Sequence, residues 1–318
     1  GVRIFAATCV TRVVEDPGGV RVETAGGFTV SADVVVVATN SPFNGAKGIH
    51  AQQAPYRTYV LTARVPEGAI DDVLYWDTED PYHYVRLHPA PDGPHLIIGG
   101  EDHRTGTVDD ADERLRHLEE WARPRFPEMQ DVVHRWSGQV MDTVDFAAFI
   151  GLNPGDRRTY VVTGDSGQGI THGVVAGMML PRLIADGTHP WAEVYAPERK
   201  PVRAGDDPFS PGEDIGKDLA ERVSPGDLSP PRGKGRVARQ GADLVAVCRD
   251  EGGTLHHLAA ACTHAGCIIR WNSFEQCWDC PCHGSHFAAD GTALNAPAVE
   301  ALSPADADVA DDREAERA

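Results

Sequence analysis

The sequence predicts an α/β portion followed by a smaller all-β unit, and three stretches carry that prediction. A run of four valines, Val34–Val37, ends in the small residues Ala38-Thr39-Asn40-Ser41-Pro42, as a parallel-sheet strand does where a backbone approaches a ligand. A second strand-like segment, Tyr160–Gly164, passes through Asp165-Ser166-Gly167-Gln168-Gly169 into a helix-like run over Ile170–Asp186. From Gly235 onward only short strands and glycine turns remain, interrupted by two loops crowded with cysteine and histidine.

The elements follow in order. Val2–Ala6, Val10–Val14 and Val20–Thr24 read as strands around the turns Pro17-Gly18-Gly19 and Ala25-Gly26-Gly27. The valine run is expected to be buried on both faces. Residues 51–145 change character: Tyr56–Val65, Tyr82–Leu87 and Leu96–Gly100 are strand-like. A helix over 109–123 places Leu115, Leu118 and Trp121 on one face before Pro124. This stretch reads as a mixed-sheet domain inserted between residues 1–50 and 146–200. Residues 201–231 are rich in proline and charge and read as a linker, with a short helix at Asp214–Val223. Residues 232–305 form the all-β unit, and the acidic tail Asp306–Ala318 is expected to be solvated.

Composition narrows the function. A formal charge of −19 over 318 residues lacks the basic stripe that nucleic acid requires and disfavours an anionic membrane surface. No apolar run approaches the roughly 18–20 residues of a membrane span, and a cytoplasmic setting is expected. Five of the seven cysteines fall between Cys262 and Cys282, which suggests a metal site more than a disulfide-stapled scaffold.

Those cysteines lie in Cys262-Thr-His264-Ala-Gly-Cys267 and Cys280-Pro-Cys282-His283-Gly-Ser285-His-Phe287. Two thiolates and two imidazoles on facing loops suit a [2Fe–2S] cluster of mixed ligation. Zinc also accepts two Cys and two His, but it does not call for Cys267, Cys282, Gly266 or the Gly284-Ser285 turn. The loops closely resemble those of Rieske iron–sulfur proteins. The resemblance implies Cys262 and Cys280 on one iron, His264 and His283 on the other, and a Cys267–Cys282 disulfide. It also implies a Ser285 hydroxyl donating to a cluster sulfur and Pro297 in a loop over the cluster. Histidine ligation raises the potential from about −400 mV to about −150 to +300 mV. Phe287 stands where high-potential members carry tyrosine, which predicts a middle-range value. Ala265 replaces a larger apolar residue and weakens any case for quinol docking. Cys277 reads as an ordinary thiol.

Val34–Pro42, Gly99-Gly100-Glu101, Arg135-Trp136-Ser137 and Thr163–Gly173 resemble stations of the D-amino-acid-oxidase-like FAD oxidoreductases. The resemblance implies Gly167, Gln168, Gly169, Ile170 and Thr171 as flavin contacts. It places the Val10 backbone at the adenine and Ala38 and Thr39 along the diphosphate. The family's opening Gly-x-Gly-x-x-Gly unit is missing from this sequence, which therefore reads as a fragment. Arg57, Tyr59 and Trp136 are candidates for a substrate pocket, and His172 would sit on the first turn of the flavin-facing helix. The remaining histidines are expected to be mostly solvated.

Together these imply an oxidoreductase carrying FAD and a [2Fe–2S] cluster. Its substrate would be an amine or amino-acid-like molecule, and its acceptor a redox protein or small electron carrier. The alternative is a non-enzymatic electron-transfer protein with a vestigial flavin domain.

Overall fold

The computed structural model describes residues 2–44, 47–200, 223, 226 and 228–305. The tail Asp306–Ala318, nearly all of the helix expected at Asp214–Val223 and most of the linker lie outside the described residues.

Strands β1 (Val10–Asp16), β2 (Gly19–Thr24) and β3 (Thr29–Ala32) form an antiparallel sheet by themselves. Gly19 lets β2 and β3 close up, since a Cβ there would lie 2.6 Å from the Ala32 carbonyl oxygen. The strand expected at Val2–Ala6 does not form. No described segment offers it a ladder, and Val2 and Ile4 are about nine-tenths exposed.

The valine run yields only β4 (Val35–Val37), followed by a helical turn, α1 (Lys47–His50). Against expectation, β4 is not buried on both faces. Among the described residues it is an edge strand, parallel to β11 (Thr159–Thr163), and Val36 is 41% exposed.

Residues 53–143 build an antiparallel sheet of five strands: β5 (Gln53–Arg64), β6 (Leu74–Trp76), β7 (His83–His88), β8 (His95–Arg104) and β9 (Val132–Thr143). Their order is β6-β7-β8-β5-β9, and every pairing is antiparallel. Helix α2 (Ala111–Ala122) covers one face, its Leu118 and Ala122 packing on Leu61, Ala63, Leu96 and Ile98. Full burial of each leucine or isoleucine contributes roughly 1.5–3 kcal/mol.

The chain then returns to β4 through β10 (Phe149–Leu152) and β11 (Thr159–Thr163), giving the mixed sheet β10-β11-β4. Helix α3 (Gly169–Asp186) follows, and the short α4 (Ala192–Tyr195) closes this portion. One side of α3 buries Ala176, Met179 and Leu180 on β10, while Ile170, Val174 and Met178 on the other side are exposed.

The C-terminal unit is all β. One sheet holds β12 (Lys234–Gln240), β13 (Asp243–Arg249) and β14 (Leu255–Ala259). The other holds β15 (Arg270–Asn272), β16 (Cys277–Asp279), β17 (His286–Ala288) and β18 (Ala293–Asn295). Its core centres on Trp271, Trp278, Phe287 and Ile269, with the two indoles edge to face at 5.0 Å.

This unit is seated on the five-stranded sheet through a polar, largely buried contact. Arg57 Nη2 of β5 donates to both carboxylate oxygens of Asp279, at 3.0 and 2.9 Å, and each residue is only 3% exposed. Arg57 Nη1 donates to Ser137 Oγ at 2.8 Å, and that hydroxyl donates to Glu275. Gln139 donates to the Gly284 carbonyl at 2.9 Å, and the approach is so close that a Cβ on Gly284 would strike the Gln139 amide.

Candidate metal centre

Two short loops come together at the seat. The first runs from β14 to β15 and carries Cys262, His264 and Cys267; the second joins β16 to β17 and carries Cys280, Cys282, His283 and Ser285. Each folds back on its leading cysteine by the same bond: Gly266 N–H donates to the Cys262 carbonyl at 2.8 Å, and Gly284 N–H to the Cys280 carbonyl at 3.0 Å. Positive φ at Gly266 (76°) and Gly284 (79°) makes both turns possible. A disulfide joins Cys267 to Cys282 and ties the loops together.

The two remaining loop cysteines face each other within hydrogen-bonding reach. The Cys262 thiol is drawn down to about 7, first by the bond from Cys280 and, against burial, by the His264 and Ala265 amides and Ser285. Its partner Cys280 retains the proton and is pushed up. The His264 and His283 rings lie 4.9 Å apart, nearly perpendicular. Burial, then the charges of His264 and Arg104, lower His283 to about 4, so its imidazole is neutral at physiological pH. Burial likewise lowers His264.

The Nδ1 atoms of both rings are buried and without a hydrogen-bond partner. Orphaned nitrogens beside two thiols are costly unless something binds them. Two thiolates with two neutral imidazoles are the donor set of a mixed-ligand [2Fe–2S] cluster. These residues fit that group.

Ser285 is fully buried, and its oxygen accepts the Ala298 N–H at 3.0 Å, which holds the loop around Pro297 against the centre. Phe287 is fully buried in the core behind it. Cys277 is a buried free thiol, its Sγ 3.5 Å from Asp279 Oδ1.

Several histidines expected to be solvated are buried: His50, His83 and His95 are 5%, 4% and 6% exposed. His50, at the end of α1, packs against both loop histidines, with ring centroids 5.0 Å from His264 and 5.1 Å from His283. The Ser41 hydroxyl, at the end of the same connection, donates to the His283 carbonyl at 3.2 Å.

At the glycine-rich turn, Gly167, Gln168, Gly169, Ile170 and Thr171 are all exposed. The first intrahelical bond of α3 is His172 N–H to the Gln168 carbonyl. The amides of Gly169, Ile170 and Thr171 therefore have no intrahelical acceptor and lie at the positive helix end. Val10 is half-buried at the start of β1, and Ala38 and Thr39 are exposed beyond β4. No Gly-x-Gly-x-x-Gly occurs in the sequence to cradle a diphosphate. His172 is buried, bonds the Asp165 carbonyl through Nδ1 at 3.1 Å and packs on Tyr195.

The three pocket candidates are not brought together. Arg57 is engaged by Asp279, Tyr59 stacks on His103 and meets Phe274, and Trp136 is 40% exposed on β9. The opposite face of β5 looks toward the glycine-rich turn. There Thr58 Oγ1 lies 3.3 Å from the Tyr84 hydroxyl, and a Cβ on Gly167 would stand 3.4 Å from the Tyr82 hydroxyl.

Three carboxyls share that face. Burial, then the charges of Asp102 and Asp165, raise Asp142 to about 7, and burial raises Asp102 to about 6. A carboxyl raised above its unfolded value of about 3.9 contributes stability at low pH and loses it as pH rises through the folded value. Asp142→Asn is therefore expected to stabilise the protein at about pH 8, by on the order of 1–4 kcal/mol, and to change little at about pH 4. Thermal unfolding at the two pH values checks this; an equal shift at both would refute it.

A family model of FAD dependent oxidoreductases, DAO, matches residues 1–183, and a Rieske [2Fe–2S] domain model matches residues 222–306. The Rieske 2Fe-2S iron-sulfur protein YhfW of Bacillus subtilis (strain 168) is 28% identical over 297 residues, 91% of this chain and 58% of YhfW. The cytochrome b6-f complex iron-sulfur subunit of Synechococcus sp. (strain JA-3-3Ab) is 41% identical over 70 residues, 21% of this chain and 41% of that subunit. The L-proline dehydrogenase of P. horikoshii is 20% identical with a TM-score of 0.48, covering 60% of this chain and 53% of that one. The chain thus spans somewhat over half the length of YhfW.

Fold and centre define an oxidoreductase chain with an iron–sulfur unit joined behind it. The chain belongs to the DAO family of FAD dependent oxidoreductases and carries a C-terminal Rieske [2Fe–2S] domain, which implies a [2Fe–2S] cluster. No helix among the described residues is long and apolar enough to cross a membrane.

Proposed function

We propose that the protein moves electrons from an amine or amino-acid-like substrate through FAD to a [2Fe–2S] cluster held by Cys262, Cys280, His264 and His283, and on to an acceptor. The observation that carries this reading is the seating of the centre. His283 is 6% exposed, its carbonyl bonds Ser41, and its ring packs on His50, so the oxidoreductase portion reaches the proposed ligands directly. FAD, when bound, would supply two-electron acceptance and one-electron release, which matches a one-electron cluster.

The chain's own residues do the rest. The first turn of α3 offers free amides to the flavin edge. Asp102, Asp142 and Asp165 offer carboxyls that burial holds toward the neutral form and that a substrate ammonium would draw into the charged one. Burial keeps the hydroxyls of Tyr82 and Tyr84 protonated, as donors or spacers on the same face. Ser285 supports the Cys262 thiolate.

The test is anaerobic addition of a series of primary and secondary amines and amino acids to the full chain carrying its cofactors. Bleaching of the flavin, followed without dithionite by an EPR signal of average g below the free-electron value, is expected. A chain with the full cluster signal but neither bound flavin nor amine-driven reduction would leave only the electron-transfer reading.

A separate prediction concerns Phe287. Phe287→Tyr adds a hydroxyl donor near the cluster and is expected to raise its reduction potential, because hydrogen bonds to sulfur favour the more negative reduced form. EPR-monitored redox titration measures it, and an unchanged or lowered potential would count against the assignment.

A further inference from the structure

One side chain of the oxidoreductase portion lies where neither the ligand set nor the flavin turn calls for it. His50 is 5% exposed, with both ring nitrogens buried and only the Pro42 backbone beside the ring as an acceptor in reach. Its ring stands 5.0 Å from that of His264 and 5.1 Å from that of His283, contacting both imidazoles of the proposed ligand set at once. A buried imidazole with at most one of its two nitrogens satisfied is costly, so its place in a wall of three rings needs a reason beyond packing. The connection that delivers it begins at β4 and passes Ser41, which bonds the His283 backbone. The chain around His264 is otherwise open: Thr263, Ala265 and Gly266 are exposed beside that half-buried residue.

We propose that His50 is a positioning residue that seals the imidazole edge of the cluster at His283 against solvent and external redox partners, leaving the His264 side as the approach for the acceptor. The proposal rests on the ligand reading given above. Each electron that enters on the His283 side leaves singly to a one-electron oxidant on the His264 side, so no further reductant is required. A water-soluble carrier fits the open side, because a few small exposed residues present no apolar slot for a quinone ring.

The test uses the full chain with its cluster in place and three variants: His50→Ala, His50→Gln and His50→Phe. Opening the edge admits water, and water favours the more negative reduced form of the cluster. His50→Ala is therefore expected to raise the reduction potential. It should also deepen severalfold the solvent-deuteron modulation of the reduced EPR signal in D2O and quicken oxidation by ferricyanide. His50→Phe refills the space and is expected to restore wild-type behaviour in all three readouts. Should His50→Ala fail to assemble a cluster, His50→Gln against His50→Phe makes the same comparison.

Potentials and deuteron modulation unchanged in both His50→Ala and His50→Gln would overturn the proposal. So would a His50→Phe protein as open as His50→Ala. A wild-type signal without the low average g of mixed ligation would instead refute the ligand reading, which separates the two failures.

Discussion

A Cys280→Ala chain is expected to fold but to hold no iron–sulfur cluster, with iron content at background and no EPR signal after dithionite. Cys280 is 1% exposed and faces Cys262 in a site where two imidazole nitrogens already lack partners. Removing one thiolate leaves three donors, and no fourth thiolate can be recruited from Cys267 or Cys282 while they are joined. The matched control is Cys277→Ala, three positions away. That thiol bonds Asp279, and burial pushes its ionisation far up, so it is expected to be dispensable for the metal. Iron analysis of the two variants decides the point. Retained iron in Cys280→Ala, or lost iron in Cys277→Ala, would remove the ligand set proposed here.

Arg57→Met is expected to destabilise the protein by about 3–5 kcal/mol, the usual cost of stranding one member of a buried ion pair. Asp279 would keep the Asn272 amide at 2.9 Å but lose both bonds from the guanidinium. The double variant Arg57→Met/Asp279→Leu is expected to recover most of the loss, since apolar replacement of a whole buried pair is often neutral. Urea unfolding followed by the fluorescence of Trp271 and Trp278 would report it. If the double variant were as unstable as the single one, the pair would not be the coupling assigned here.

These two cases also show how much of the molecule could be read from its sequence. The clustering of cysteines, histidines and turn glycines was legible because it is local, all within 26 residues, Cys262–Phe287, while the role of each came from the resemblance. Arg57 and Tyr59 were hard to place because β5 is covered on both faces. Its residues alternate in direction with a period of two, but Arg57 and Thr58 are both polar, and polarity does not say which face meets α2 and the C-terminal unit. The parity is set by Leu61 and Ala63 packing under α2, a tertiary fact. His50 left no signal, since only the fold brings it 214 positions along the chain to His264. The valine run misled in the opposite sense. Its composition is that of an interior strand, while its neighbours decide that it lies at an edge.

The buried Arg57–Asp279 pair has a kinetic consequence as well. Screening by salt acts on charges exposed to solvent and far less on a pair shut away from it. The seat of the C-terminal unit should therefore hold in concentrated salt that would dissociate a pair of independent proteins meeting through surface charge. On the proposed function, passage of an electron across it would be a unimolecular event within one polypeptide, with a rate indifferent to protein concentration and nearly so to ionic strength. Delivery to the proposed outside acceptor would be the bimolecular step, and with a net charge of −19 on the chain that step alone should respond to salt, in the direction set by the acceptor's charge.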